Sequence, residues 1–96
     1  MTPSFSVRTT AHFDRQFRKL AKRHPDLVSH YAEVLKILAA DPFNVSRVHP
    51  IKKLESIEAN HGQYRLRSGR FRFRYDIAGA VVYLKACSLR REDTYR

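Results

Sequence analysis

The sequence predicts a single α+β domain, an antiparallel sheet with a helical hairpin packed on one face, and three observations carry that prediction. The first is size: 96 residues, 43% of them apolar, fill one domain over residues 1–96 and leave no room for a second. The second is a pair of stretches in the first half whose apolar residues recur with helical spacing. The third is a set of three runs after Gly62 in which apolar and polar residues alternate, joined at glycines.

The elements follow in chain order. Ser4-Phe-Ser-Val-Arg8 alternates with the period of a short, half-buried strand. Thr9 or Thr10 can then cap a helix in which Phe13, Phe17, Leu20 and Ala21 share one face, before Pro25 ends it. Arg15, Arg18, Lys19, Lys22 and Arg23 populate its other faces. Asp26 is placed to N-cap a second helix with the stripe Leu27, Tyr31, Val34, Leu35 and Leu38, which stops at Asp41-Pro42. From Phe43 to Asn60 no period is clean, and a short strand or a helical turn fits around Lys52-Lys53-Leu54. Tyr64 and Leu66, then Phe71, Phe73, Tyr75 and Ile77, then Val82, Leu84 and Ala86 mark the inward faces of three strands. Ser68-Gly69 and Ala78-Gly79 are read as the two-residue turns between them. The order is therefore β-αα-(β)-βββ.

Composition narrows the function. Nineteen Lys and Arg against nine Asp and Glu give a formal charge of +10, which favours a polyanionic partner, either nucleic acid or an acidic protein. A domain this small has no room for a deep cofactor cavity, which excludes Rossmann and barrel enzymes. The five histidines, His12, His24, His30, His49 and His61, are scattered without the spacing of a metal site, and the lone Cys87 has no His partner by spacing. The start Met1-Thr-Pro-Ser-Phe-Ser lacks the charged opening and apolar run of a signal peptide, and no apolar run approaches a membrane span. A cytoplasmic protein with no membrane partner is the expectation.

If both turns hold two residues, counting outward sets the register. Leu66 then faces Phe71, Arg65 faces Arg72 and Tyr64 faces Phe73; across the next pair Tyr75 faces Val82, Phe73 faces Leu84 and Arg72 faces Lys85. Apolar meets apolar in each core pair. The polar face gathers Arg65, Arg72 and Lys85 in one row, with Arg67 beside Arg70 above it and Arg74 beside Tyr83 below. Like charges at about 5 Å repel by roughly 0.8 kcal/mol in water, so such a cluster costs about 1–2 kcal/mol unless an anion sits over it. Arg forks suit phosphate or carboxylate. The alternative is a solvated face of splayed Arg side chains. Against it, five Arg and no acid lie between Gly62 and Tyr75, whereas a merely soluble face mixes signs.

The order β-αα-βββ, the hairpin Tyr64-Arg-Leu-Arg-Ser-Gly-Arg-Phe-Arg-Phe-Arg-Tyr-Asp-Ile77 and the ending Arg-Arg-Glu-Asp-Thr-Tyr resemble the RelE/ParE superfamily of bacterial type II toxins, nearest to the RelE branch. The resemblance spans nearly the whole chain and implies a RelE-like fold and a ribosome-dependent endoribonuclease, an mRNA interferase, that cuts the A-site codon. It implies no metal or other cofactor, and a cognate antitoxin as partner beside the ribosome and mRNA. Arg65, Arg67 and Arg72 match the basic positions of the hairpin strands, and Tyr95 matches the terminal Tyr. In the roles this implies, Arg72 clamps the phosphate, Arg65 and Arg67 stabilise developing charge, and Arg90 or Arg91 supplies a cation on the leaving-group side. Tyr95 is the base or a stacking aromatic, with Glu92 or Asp93 as alternative bases. Lys52, Lys53, Arg70, Arg74 and Lys85 are expected RNA contacts. Many relatives carry a His before the Arg of the tail, where this chain has Leu89. The antitoxin is expected to be an acidic, partly disordered segment covering the basic face or a groove beside the helices. Two other functions share the fold or the charge: a ParE-like inhibitor of DNA gyrase, and a noncatalytic RNA-binding module.

Overall fold

The computed structural model describes residues 4–58 and 60–90. Two helices cover one face of a five-stranded sheet whose order is β1-β5-β4-β3-β2. The elements are β1 (Ser6–Thr9), α1 (Ala11–Arg23), α2 (Leu27–Ala40), β2 (Ile51–Lys53), β3 (Tyr64–Ser68), β4 (Phe71–Ala78) and β5 (Val81–Leu89). The α+β class and the element order are those expected, and the unsettled segment before β3 resolves as a strand rather than a helical turn. No described helix is long and apolar enough to cross a membrane.

Each helix forms for local reasons and is held by its apolar stripe. The Thr10 hydroxyl accepts the Phe13 N–H at 3.1 Å and donates to the Leu84 carbonyl at 3.1 Å, so a single side chain caps α1 and ties it to β5. Asp14 in the first turn and Lys22 and Arg23 in the last complement the helix dipole. Phe13 and Leu20 are buried, with Phe17 and Ala21 packed beside them. Leu27, Val34 and Leu38 bury the corresponding stripe of α2. Asp26 stands at the N-cap of α2, but its side chain makes no capping bond. Its carboxylate accepts a bond from Arg70 at 3.0 Å instead. The Asp26 backbone, at φ −66° and ψ −12°, is already helical rather than extended as side-chain capping requires.

The sheet is mixed. The meander β2-β3-β4-β5 is antiparallel, whereas β1 runs parallel to β5, with Val7 opposite Val82. Parallel neighbours require a long crossover, and the two helices lie within the chain that links them. Phe13, Tyr31 and Phe73 join the layers, with ring centroids 5.8 to 6.4 Å apart. Tyr75 is fully buried and donates its hydroxyl to the Pro42 carbonyl at 2.7 Å; burial raises its pKa.

The register differs from the one counted on sequence. Ser68 pairs with Phe71 and Ala78 with Val81, so the turns are Gly69-Arg70 and Gly79-Ala80. In both, glycine takes the first loop position with φ near +60°, as a type II′ hairpin turn needs, whereas the expected Ser-Gly and Ala-Gly turns put it second. Moving each loop by one residue shifts every pairing by two. Arg65 therefore faces Arg74 and Arg67 faces Arg72, and Leu66 faces Phe73. A shift of two keeps every side chain on its face, so apolar complementarity alone does not distinguish the two registers.

A β-bulge then changes the face sequence of β5. Tyr75 pairs with Leu84 but Arg74 pairs with Ala86, leaving Lys85 as the extra residue. Beyond the bulge it is Cys87, not Ala86, that enters the core, at 3% exposure. Burial pushes the Cys87 thiol up to about 12, the state of a packing residue rather than a nucleophile.

Candidate functional site

The polar face of the sheet is built by the outward positions of β2, β3, β4 and β5. One row runs Lys52, Arg65, Arg74 and Ala86; the next runs Arg67, Arg72 and Ser88. These replace the expected row of Arg65, Arg72 and Lys85. Arg67 and Arg72 stand directly opposite one another, as do Arg65 and Arg74, so two like-charged pairs lie on adjacent strands of one hairpin. Strand pairing is what gathers them: Arg65 and Arg67 are two apart on β3, Arg72 and Arg74 two apart on β4, and alternation sends all four to the side away from the helices.

The expected residues separate into those that make the face and those that are engaged elsewhere. Arg74 is a brace: its Nε donates to the Gly62 carbonyl at 3.0 Å and its terminal nitrogen to the His61 carbonyl at 2.8 Å. Asp76, next on the same face, accepts the Gly62 and Gln63 N–H groups at 2.9 and 2.8 Å. Together they pin the loop before β3 against the lower end of the sheet. Arg70 is in the β3–β4 turn and reaches toward the helices, bonding Asp26 and the His24 ring at 3.0 Å each and lying 5.0 Å over the Phe71 ring. Lys53 lies on the helix side, its ammonium 5.7 Å from the Tyr64 ring centre, while Lys52 shares the row of Arg65. Lys85, displaced by the bulge, has its ammonium 5.8 Å from the Tyr83 ring centre, and Tyr83 itself lies opposite Asp76 rather than beside Arg74.

Arg90 follows β5, its backbone N–H donating to the Arg70 carbonyl at 2.8 Å, which brings the start of the tail to the β3–β4 turn. Arg91, Glu92, Asp93 and Tyr95 lie outside the described residues. Sequence reasoning missed two members of the face. Ser88 joins the row of Arg67 and Arg72 only because the bulge reverses the alternation of β5, and no sequence signal marks that bulge. Asp76 was visible as the acid ending the hairpin, but its use as an acceptor for loop amides depends on how the chain returns.

Among the described residues no group of three or more His, Cys, Asp or Glu side chains comes together to hold a metal ion. What the face can do is bind an anion with paired guanidinium groups. The Arg67–Arg72 pair, with the Ser88 hydroxyl in line, offers planar donors suited to two oxygens of a phosphate, and Lys52 and Arg65 extend the positive surface toward β2.

No family model matches the sequence, and no curated protein matches it. A search of solved structures finds a chain of the archaeal RelE–RelB complex from Pyrococcus horikoshii OT3, with a TM-score of 0.66 and 21% sequence identity, covering 91% of this chain and 96% of that one. Both chains are matched almost end to end, and on that basis this chain, with its helical pair and mixed five-stranded sheet, has the RelE-like fold.

Proposed function

We propose that this protein is the toxin of a type II toxin–antitoxin system, a ribosome-dependent endoribonuclease of the cytoplasm that cuts mRNA in the A site and so halts translation. The observation that carries this reading is the Arg67–Arg72 pair, opposed on neighbouring strands with Arg65 and Lys52 beside it, on the sheet face that the helices leave uncovered. The RelE-like fold supports it, as does the excess of positive charge.

In this reaction the ribose 2′-oxygen attacks the adjacent phosphorus as its proton passes to a base. The bond from phosphorus to the 5′-oxygen breaks, and that oxygen takes up a proton. The products are a 2′,3′-cyclic phosphate and a 5′-hydroxyl end. No metal or other cofactor enters these steps. Arg72 clamps the phosphate, and Arg65 and Arg67 stabilise the charge that grows on its oxygens. Arg90 or Arg91 supplies the cation on the leaving-group side. Tyr95 is the base, with Glu92 and Asp93 as the alternatives. The partner that restrains the enzyme is an acidic, partly disordered antitoxin.

The test is cleavage of a translated message on purified ribosomes. Arg72→Ala is expected to abolish codon cleavage while the circular dichroism spectrum and melting temperature stay those of the parent. Undiminished cleavage by that variant removes the clamp role. Tyr95→Phe in the same assay distinguishes a base from a stacking ring, and a gyrase supercoiling assay is expected to show no inhibition.

A further inference from the structure

Strand β1 covers only part of β5. Its four residues pair with Val81 to Leu84, and Thr10, the next in the chain, already caps α1. From Lys85 to Leu89, therefore, β5 runs on with no strand beside it on that side among the described residues. Helix α1 stands there instead. The Gln16 Oε1 accepts the Cys87 N–H at 3.0 Å, which fixes the amide plane against the strand edge and leaves its NH2 group to donate.

Between the helix and this edge lies a groove of about 560 Å³, a size that takes a small organic group. Leu20 and Cys87, both buried, give it an apolar floor. Lys19 and Arg23, both exposed, stand one turn apart on its helix side. Like charges at that spacing work against a helix, and among the described residues no carboxylate lines the groove to offset them. Ser88 joins the groove to the arginine face, because it lines the one and lies opposite Arg72 on the other. Neighbouring strands are about 4.8 Å apart, so the path from the Arg67–Arg72 pair over β5 into the groove is short. One bulge serves both ends of that path: it brings Ser88 beside Arg72 and turns Cys87 into the floor.

We propose that the groove between α1 and β5 is a second subsite for single-stranded RNA. A nucleotide next to the phosphate held by Arg67 and Arg72 places its base over Leu20 and Cys87, within reach of the Gln16 NH2, and its own phosphate between Lys19 and Arg23. An apolar floor, a fixed amide donor and cations on one rim match an unstacked base and its phosphate, and a single strand repeats that combination at every unit. That the strand starts from a phosphate at the Arg67–Arg72 pair rests on the function proposed above.

The probe is a dye-labelled single-stranded hexanucleotide of 2′-O-methyl RNA, which has no 2′-hydroxyl to attack phosphorus and so reports binding without cleavage. Fluorescence anisotropy follows its titration with the full chain, without ribosomes. Lys19→Gln with Arg23→Gln is expected to weaken binding by roughly fivefold or more, whereas Arg15→Gln with Arg18→Gln, an equal loss of charge on α1 outside the groove, weakens it by less than about twofold. Circular dichroism checks that both double variants keep the parent's helices. In nitrogen–proton correlation spectra the Gln16 side-chain amide and the Cys87 backbone amide are expected to shift as the probe is added. No binding of the probe, equal weakening by the two double variants, unmoved Gln16 and Cys87 signals, or equally effective displacement by a polyglutamate peptide of matching charge each overturns the proposal. The ribosome assay with Arg72→Ala decides the endoribonuclease function separately: absence of cleavage leaves the contrast between the double variants standing, and equal weakening by them leaves the cleavage result standing.

Discussion

At the scale of single residues, Gly69 and Arg74 show how much of the basic face depends on backbone and bracing. Gly69 opens the β3–β4 turn with φ +59°, and a Cβ built there would stand 2.5 Å from the His30 ring. That ring is fixed in turn by the Ser68 hydroxyl at 2.8 Å from its Nδ1. Gly69→Ala is therefore expected to combine left-handed backbone strain with displacement of His30, lowering stability by about 2–3 kcal/mol in urea unfolding. Because Arg67 and Arg72 flank this turn, the loss reaches the pair on which anion binding depends. Arg74 looks on sequence like one more RNA contact, yet its guanidinium is spent on the carbonyls of His61 and Gly62. Residue type identifies a cation, but only its neighbours decide whether that cation meets substrate or backbone.

At the scale of elements, α1 and the α2–β2 loop are both held by one polar side chain doing two things. Thr10 caps α1 and bonds the Leu84 carbonyl, so Thr10→Ala is expected to cost about 1–2 kcal/mol in chemical denaturation, toward the upper end for a cap because both bonds are lost. Asp41 organises the loop, and its hydrogen bonds from Ser46 and Val45, with His49 nearby, hold its carboxyl below the usual value. A depressed folded-state pKa gives stability that is fully present above the unfolded value of about 4 and is lost as pH falls through the lower folded value. Thermal melts from pH 6 down to pH 2 are expected to show the parent losing stability below about pH 4, and Asp41→Asn, with no titrating group there, losing less over the same interval.

At the scale of the whole molecule, the helices and the aromatic cluster of Phe13, Tyr31 and Phe73 close one side of the sheet and leave the other to positive charge. A chain of formal charge +10 that opposes Arg67 to Arg72 and Arg65 to Arg74 on its open sheet face is suited to a polyanion. Binding of a short single-stranded RNA is expected to weaken with salt, with a log–log slope of about −3 if Lys52, Arg65, Arg67 and Arg72 each neutralise a phosphate. Arg67→Ala is expected to reduce that slope by roughly 0.7, whereas Arg70→Ala, which removes a guanidinium held by Asp26 and His24, leaves it nearly unchanged.

The sequence by itself determined the fold class, the element order, the stripes of α1 and α2 and the face on which each β3 and β4 side chain lies. These follow from periods of 3.6 and 2, which are local properties of the chain. Only the tertiary structure decided which arginines stand together. Arg72 came to face Arg67 rather than Arg65 because glycine takes the first position of its turn, and Ser88 replaced Lys85 beside Arg72 because the turn opened by Gly79 moves the pairing by two and a bulge in β5 adds one residue more. Register and bulges are set by pairing between strands and by turn geometry at φ near +60°, and a pattern of alternating residues looks the same before and after a shift of two.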